Sequence, residues 1–185
     1  MDTCRLKMNH FDPNLVLVET CAKSLKLSQF VYETRDPKSI LESFVKSGSP
    51  YVETEAFSYA FERGLDPATL IFPIDVESFV TRRRLAYSLL PHPFESLILI
   101  SRYYGRSYPS TTDSDSIANW RRGFQSDCPT AFRILFSERE EHMSSEIFRH
   151  LSTSPPGSRI AVLVGLSHMD AIYDNLVLRC QISNQ

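Results

Sequence analysis

The sequence lacks the features that assign a chain to several large protein classes. No apolar run approaches the ~18 residues that a membrane-spanning helix needs. The opening stretch MDTCRLKMNHFDPN has no apolar core of signal-peptide length, so we expect a protein that is not secreted. No internal repeat or low-complexity tract is present. One globular domain over residues 1–185 is therefore the expectation.

Cysteine is scarce and dispersed, and net charge is small. The absence of a Cys-x-x-Cys pair excludes a zinc knuckle and favours reduced thiols in a cytosol-facing protein. The four cysteines are Cys4, Cys21, Cys128 and Cys180. A formal net charge of −2 gives no general attraction to nucleic acid or anionic lipid. We therefore expect no nucleic-acid partner, although residues 102–108 interleave basic and aromatic side chains.

What the sequence does contain is a series of short apolar runs with helical spacing between them. NLVLVE (14–19), ATLIFPID (68–75) and RIAVLVG (159–165) predict buried strands, and VLRCQIS (177–183) predicts a fourth. Strands that are apolar on both faces and separated by helices predict an α/β fold with a mainly parallel central sheet flanked by helices.

The predicted helices alternate with these strands. They cover residues 39–48, 52–64, 78–90, 94–105, a stretch through Trp120 and 129–151. In the helix over 78–90, we expect Phe79, Leu85, Leu89 and Leu90 to face inward.

A titratable side chain follows each of three predicted strands. Glu19, Asp75 and His168 stand at these exits. Ligands of parallel sheets bind beyond the carboxyl ends of the strands, so these side chains are candidates for a shared site. Polar residues are also the ordinary way to leave a strand, and that interpretation stays open.

Five stretches carry acidic, basic and histidine residues at fixed places within otherwise apolar elements. They are PNLVLVETC, ETEAFSYAFERG, IDVESFVTRRRLAYSLL, SEREEHMSSEI and VLVGLSHMDAI. In this order and spacing they resemble the TraB family, which includes the Tiki metalloproteases and lies near the erythromycin-esterase-like and ChaN-like proteins. The resemblance covers about residues 12–172 and implies a TraB-like α/β fold for the chain.

The resemblance also identifies the site residues. It assigns catalytic roles to Glu19, Glu55, Arg139 and His168, and supporting roles to Asp75, Arg84, Glu138 and Gly165. The chain departs from the family at Val76, where arginine is usual, and at Glu140, where Asp or Asn is usual. The family's first strand, which ends in Gly-Thr-x-His, has no counterpart before Glu19. We therefore expect a truncated isoform, an incomplete gene model, a degenerate copy or a strand borrowed from another subunit.

The chemistry implied by the resemblance is metal-dependent hydrolysis. A hydrolytic metal site uses about three His, Asp or Glu ligands, and the metal lowers the pKa of its bound water. His168 and Glu19 would act as ligands of a divalent metal or as the base, with Glu55 nearby, while Arg139 would hold a carboxylate or stabilise an oxyanion. An ion pair between Asp75 and Arg84 would support the site. Each residue also has a simpler interpretation: a backbone hydrogen bond for His168, a helix cap for Glu19 and a solvated acid for Glu55.

Two functions follow from the resemblance and remain open at this point. The first is a hydrolase-like domain that acts as a metal-dependent peptidase on a peptide or protein substrate. The second is a non-catalytic TraB-like interaction or regulatory module, a pseudoenzyme. It would lie on the cytoplasmic face of the mitochondrial outer membrane or the endoplasmic reticulum, with membrane contact only through partners. Both are compatible with a homo-oligomer.

Overall fold

The computed structural model describes residues 2–26, 29, 52–103 and 114–183. They are divided between two compact units. The first contains Met1–Asp75 and Ser145–Val164, and the second contains Val76–Ser144 and Gly165–Gln185. The chain thus passes from one unit to the other three times, and neither unit is a continuous stretch. The expectation of one domain stays a prediction.

The first unit is built on a parallel sheet of three strands. Its described residues include α1 (Asp2–Phe11), β1 (Leu15–Val18), α2 (Val52–Arg63), α3 (Pro67–Leu70), β2 (Ile71–Pro73) and β3 (Ile160–Leu163). The strand order is β2-β1-β3, and both pairings are parallel. Val16 is aligned with Ile71 on one side and with Ala161 on the other. The expected α/β class with a parallel sheet is confirmed at this level.

Burial explains why β1 is the central strand. Its residues Val16, Leu17 and Val18 are all fully buried, as expected for a parallel strand covered on both faces. Helix α2 packs against β1 and β3 and contributes Ala56, Tyr59 and Ala60 to the core of this unit. The helix ends at Arg63 and is followed by Gly64, whose φ of +64° favours glycine over residues with a side chain.

The second unit is helical among its described residues. It contains α4 (Ser78–Leu89), α5 (Pro93–Ile98) with a π-helical turn at Leu99–Tyr103, α6 (Ser114–Asp127) and α7 (Pro129–Phe132). A second π-helical stretch, Arg133–Ser137, leads into α8 (Glu138–Thr153), whose first seven residues belong to this unit. Helix α9 (Leu166–Ser183) ends the described chain. An aromatic cluster formed by Phe124, Phe132 and Phe136 lies at its core.

Several sequence predictions are confirmed and others are wrong. The three strands and the helices over 52–64 and 129–151 are present, although residues 67–70 are helical. The fourth strand at 177–183 is wrong, because these residues continue α9. Periodicity alone does not distinguish a short strand from a segment of a helix. Here residues 177–183 are the last part of the helix that begins at Leu166. The predicted helix over 39–48 lies outside the described residues.

The inward face predicted for α4 is also wrong in part. Leu89 is buried and Leu85 packs against the aromatic cluster, but Phe79 and Leu90 are 71% and 75% exposed. The side of α4 that carries Leu85 and Leu89 faces the interior of the unit. Phe79 and Leu90 lie on another side. Among the described helices, none combines the length and the hydropathy needed to cross a membrane.

Candidate functional site

His168 stands in the first turn of α9, three residues after Gly165, which lies between β3 and this helix. Its backbone N–H donates to the carbonyl oxygen of Gly165 at 2.9 Å, which closes the first turn of the helix. The side chain is only 4% exposed, and its ring stacks on Phe136 with 5.1 Å between the centroids. The imidazole therefore lies in the interior of the second unit, among residues of that unit.

A buried carboxylate holds this imidazole. The Nδ1 atom of His168 lies 2.8 Å from Oε1 of Glu140 on α8. An ionised carboxylate can only accept hydrogen bonds, so Nδ1 is the donor. This leaves the lone pair of a neutral ring on Nε2, which is the tautomer that accepts a proton or a metal at that atom. Glu140 thus sets both the orientation and the tautomer of His168.

An arginine completes the arrangement, which we call the His–Glu–Arg network: His168, Glu140 and Arg121. Arg121 on α6 donates from Nη1 to Oε1 of Glu140 at 2.6 Å and from Nη2 to Oε2 at 3.1 Å. The planar guanidinium matches the two carboxylate oxygens in this fork geometry. It also donates to the carbonyl oxygen of Ser167. The network therefore ties α6, α8 and the start of α9 together.

The surroundings of Arg121 are aromatic and largely dry. Its guanidinium carbon lies 4.8 Å from the ring centroid of Phe136 and 5.3 Å from that of Phe132. The side chain is 18% exposed, whereas that of Glu140 is 5% exposed. Contacts of a cation with aromatic faces strengthen as water is removed. The positive charge of Arg121 is thus held by both the carboxylate and the rings.

The network keeps Glu140 ionised. Burial by itself raises the pKa of the Glu140 carboxyl, but the hydrogen bonds from His168 and Arg121 and the charge of Arg121 lower it. The lowering effects dominate, and the pKa lies below its usual value. Glu140 is therefore a carboxylate at neutral pH.

We expect Glu140→Gln to destabilise the protein most at neutral pH and least in acid. The folded pKa of Glu140 lies below the unfolded value of about 4.3, so the unfolded chain binds more protons as the pH falls through this range. The stabilisation by Glu140 is present above the unfolded pKa and is lost below the folded one. Urea unfolding of the two proteins at about pH 7, 5 and 3 measures it. A pH-independent difference in unfolding free energy would contradict the assignment.

Sequence reasoning missed two members of the network. Arg121 was not singled out, and Glu140 was noted only as a departure from the family pattern. One signal for Glu140 is present in the sequence. It lies on the same face of the helix as Phe136, Met143 and Ile147, which are all buried. A buried carboxylate needs a hydrogen-bond donor or a cation as its partner. The position of Glu140 in an apolar stripe therefore indicates a buried ion pair.

The other candidates in the second unit, Arg84, Glu138 and Arg139, make contacts outside the His–Glu–Arg network. Arg84 on α4 lies 2.9 Å from Glu138, and Arg133 lies 2.7 Å from the same carboxylate. Arg139 donates to the carbonyl oxygen of Leu135 at 3.1 Å. The predicted ion pair of Arg84 with Asp75 joins residues of different units and stays a prediction.

The remaining acidic candidates belong to the first unit. The backbone N–H of Glu19 donates to the carbonyl oxygen of Leu163 at 2.9 Å, and that of Asp75 donates to Thr20 at 3.1 Å. Glu19 and Asp75 therefore both lie beyond the carboxyl ends of the parallel strands, at the same end of the sheet. Glu55 lies on α2 and is half-buried. The convergence of Glu19 with His168, which belongs to the second unit, stays a prediction.

A cleft of about 540 Å³ lies within the second unit between α6 and the first half of α9. Its lining is mixed, and it includes Arg121, Arg122, Phe132, Leu166, Ser167 and Asp170. Arg121 reaches both the cleft and Glu140, so it connects this concave surface with His168.

The metal implied by the resemblance needs about three protein ligands. Within the part of the chain that the structure describes, no group of three or more His, Cys, Asp or Glu side chains is arranged to hold an ion. The described residues therefore do not make up a complete metal site. The thiol of Cys128 is also unsuited to nucleophilic chemistry, because burial and the charge of Glu95 raise its pKa to about 11.

Comparison with known proteins leaves the family open. The sequence matches no protein-family model and shows no significant match to a curated protein. The argument about function therefore depends on the geometry of the residues described above.

Proposed function

We propose that this chain is a TraB-like hydrolase domain in which His168 exchanges the proton during hydrolysis of a peptide or protein substrate. The observation that carries the proposal is the 2.8 Å contact between His168 and Glu140. It joins the histidine of the last motif to the helix of the fourth motif, 28 residues away in sequence. Arg84 of the third motif contacts Glu138 of the fourth. Three of the five stretches that resemble the family thus meet within one unit.

The chemistry of the proposal follows from the tautomer of His168. With Nδ1 donating to Glu140, Nε2 can accept a proton from a water molecule as the oxygen of that water bonds to the scissile carbonyl carbon. The imidazolium that forms is stabilised by the ionised carboxylate, as in other carboxylate–imidazole pairs. The same proton then passes to the leaving nitrogen as the C–N bond breaks, which restores the neutral imidazole. Arg121 keeps Glu140 in position and ionised, and it is a positioning residue in this scheme. A substrate would reach the network from the cleft between α6 and α9. No step is assigned to a metal, because the described residues do not complete a site for one.

The low exposure of His168 favours a second candidate function, a non-catalytic TraB-like interaction module. Both oxygens of Glu140 are engaged by Arg121, and the imidazole is only 4% exposed. A network that is fully paired and buried also serves to fix the packing of three helices. In this alternative the residues of the site are retained for structure, and any contact with mitochondrial or endoplasmic-reticulum membranes is made through partners.

Hydrolysis of fluorescein-labelled casein separates the two functions. We expect the wild-type protein to cleave casein and His168→Ala to lose about 10²- to 10⁴-fold in rate, the usual contribution of an acid–base residue. Assays without added metal and with Zn²⁺, Mn²⁺ or Co²⁺, together with measurement of bound metal, test the divalent ion that the resemblance implies.

The matched control is His142→Ala on α8, because His142 is exposed and belongs to the same unit. It should retain full activity. His168→Gln keeps a polar side chain of similar size and checks that any loss does not reflect unfolding, with circular dichroism as the folding readout. Equal rates for wild type and both His168 variants would reject the hydrolase and leave the interaction module.

A further inference from the structure

An apolar groove lies on the surface of the second unit, between the end of α4 and α5 with its π-helical extension. It has a volume of about 550 Å³. Seven of its eight lining residues are apolar: Ala86, Leu89, Leu90, Pro93, Leu97, Leu99 and Ile100, with Ser96 as the exception. The neighbouring Phe94 is 80% exposed. Large apolar side chains grouped in this way on a surface mark an interaction site more often than scattered ones do.

Two arginines lie on the same side of α4 as the groove. Arg82 and Arg83 stand one helical turn before Ala86, and Arg83 lies two turns before Leu90. Both side chains are exposed, and neither forms an ion pair with another described residue. The guanidinium of Arg83 lies over the ring of Tyr87 at 5.6 Å. The groove is therefore apolar along its length and positively charged at one end.

Helix α9 of the same unit carries the complementary pattern. Leu166, Met169, Tyr173 and Val177 recur at three- and four-residue spacing and are all exposed. Asp170 and Asp174 form one border of this stripe, and neither is ion-paired within the described part of the chain. The helix thus presents an exposed apolar stripe with a negative border, which is unusual for a helix that packs on a core.

We propose that the groove of one copy binds the α9 stripe of a second copy. Helices bind apolar grooves through anchors at this spacing, and the two aspartates would then meet Arg82 and Arg83. Each copy offers one groove and one stripe. Two copies related by a two-fold axis can therefore form both contacts at once and close into a dimer. The contact uses none of the His–Glu–Arg network. Four residues of the stripe and its border also line the cleft between α6 and α9, so a second copy bound there would cover the route to His168 in the proposed hydrolase: Leu166, Met169, Asp170 and Asp174.

A second copy fits the groove better than a lipid surface does, because it matches the charges and covers both apolar surfaces. An anionic membrane would accommodate the groove and the two arginines, but it would leave the stripe on α9 exposed and would repel Asp170 and Asp174. A second copy covers both surfaces with opposite charges facing each other. Charge exchanges on α9 should therefore affect binding of a second copy but are not needed to explain binding to a membrane.

A charge-exchange experiment tests the proposal on the full chain. Sedimentation velocity should show a dimer for the wild type at micromolar concentration. Arg82→Glu with Arg83→Glu should weaken dimerisation on the order of 100-fold, because like charges then face each other. Asp170→Arg with Asp174→Arg should weaken it to the same extent. An equimolar mixture of the two double variants should form a heterodimer, because both contacts then pair opposite charges.

Two further results complete the design. Leu97→Glu introduces a charge into the groove and should abolish the dimer. Glu62→Lys, at an exposed position near the end of α2, should leave the dimer unchanged. A monomeric wild type, or double variants that fail to associate when mixed, would overturn the proposal. Binding of the monomer to phosphatidylserine vesicles through Arg82 and Arg83 would assign the groove to a membrane and overturn it also.

Discussion

Glu140→Ala should lower the free energy of unfolding by about 3–5 kcal/mol. The substitution removes the carboxylate that accepts from Nδ1 of His168 and both fork contacts of Arg121. Breaking a buried ion pair costs this much because the remaining charge stays in the interior and loses its oppositely charged partner. Urea unfolding followed by circular dichroism measures the change, with the wild type under the same conditions.

The adjacent residue provides the matched control. Glu141 is on the same helix and is paired with Arg179, but its side chain is 59% exposed. Solvent screens such pairs, so Glu141→Ala should change the unfolding free energy by about 1 kcal/mol or less. Similar effects for the two alanine variants would show that the His–Glu–Arg network contributes no more than a surface ion pair.

Phe136→Ala should also lower the free energy of unfolding by roughly 3–5 kcal/mol. The ring is 1% exposed and stacks on Phe132 with 5.1 Å between centroids. It also contacts the imidazole of His168 and the guanidinium of Arg121. Removing it leaves a cavity beside two polar groups and loses the aromatic contacts. Thermal or urea unfolding provides the measurement.

Phe61→Ala is the corresponding control, since Phe61 is 53% exposed. We expect a change within about 0.5 kcal/mol, as for most surface substitutions. If Phe136→Ala were equally mild, the aromatic cluster would not be the core of the second unit. An intermediate result of about 1–2 kcal/mol would indicate that the site collapses around the smaller side chain.

Much of the local structure could be predicted from the sequence because it depends on short-range patterns. The apolar run at 14–19 predicts a strand, and β1 occupies Leu15–Val18 at the centre of the sheet. The spacing from Pro129 to Leu151 predicts a helix, and one is present there. The prediction of a fourth strand at 177–183 is wrong because the structure of that stretch depends on the helix before it. A seven-residue stretch with four apolar residues carries no information about whether the preceding helix continues through it.

The candidate site was predictable only in part. His168 was identified from its place after a strand and from the resemblance to the TraB family. Its partner Glu140 and the more distant Arg121 were not, although a carboxylate within an apolar stripe was a usable signal. The roles of Glu19 and Glu55, the divalent metal and the family membership stay predictions.

The sequence by itself determined that this chain forms a parallel α/β arrangement and that an imidazole follows its last strand. Periodicity and short-range sterics decide such features, and both can be read along the chain. Only the tertiary structure decided which residues surround that imidazole. Glu140 is 28 residues from His168, and Arg121 is 46 residues from Ser167. Contacts over such separations depend on which helix faces pack together, and local sequence patterns do not specify that choice.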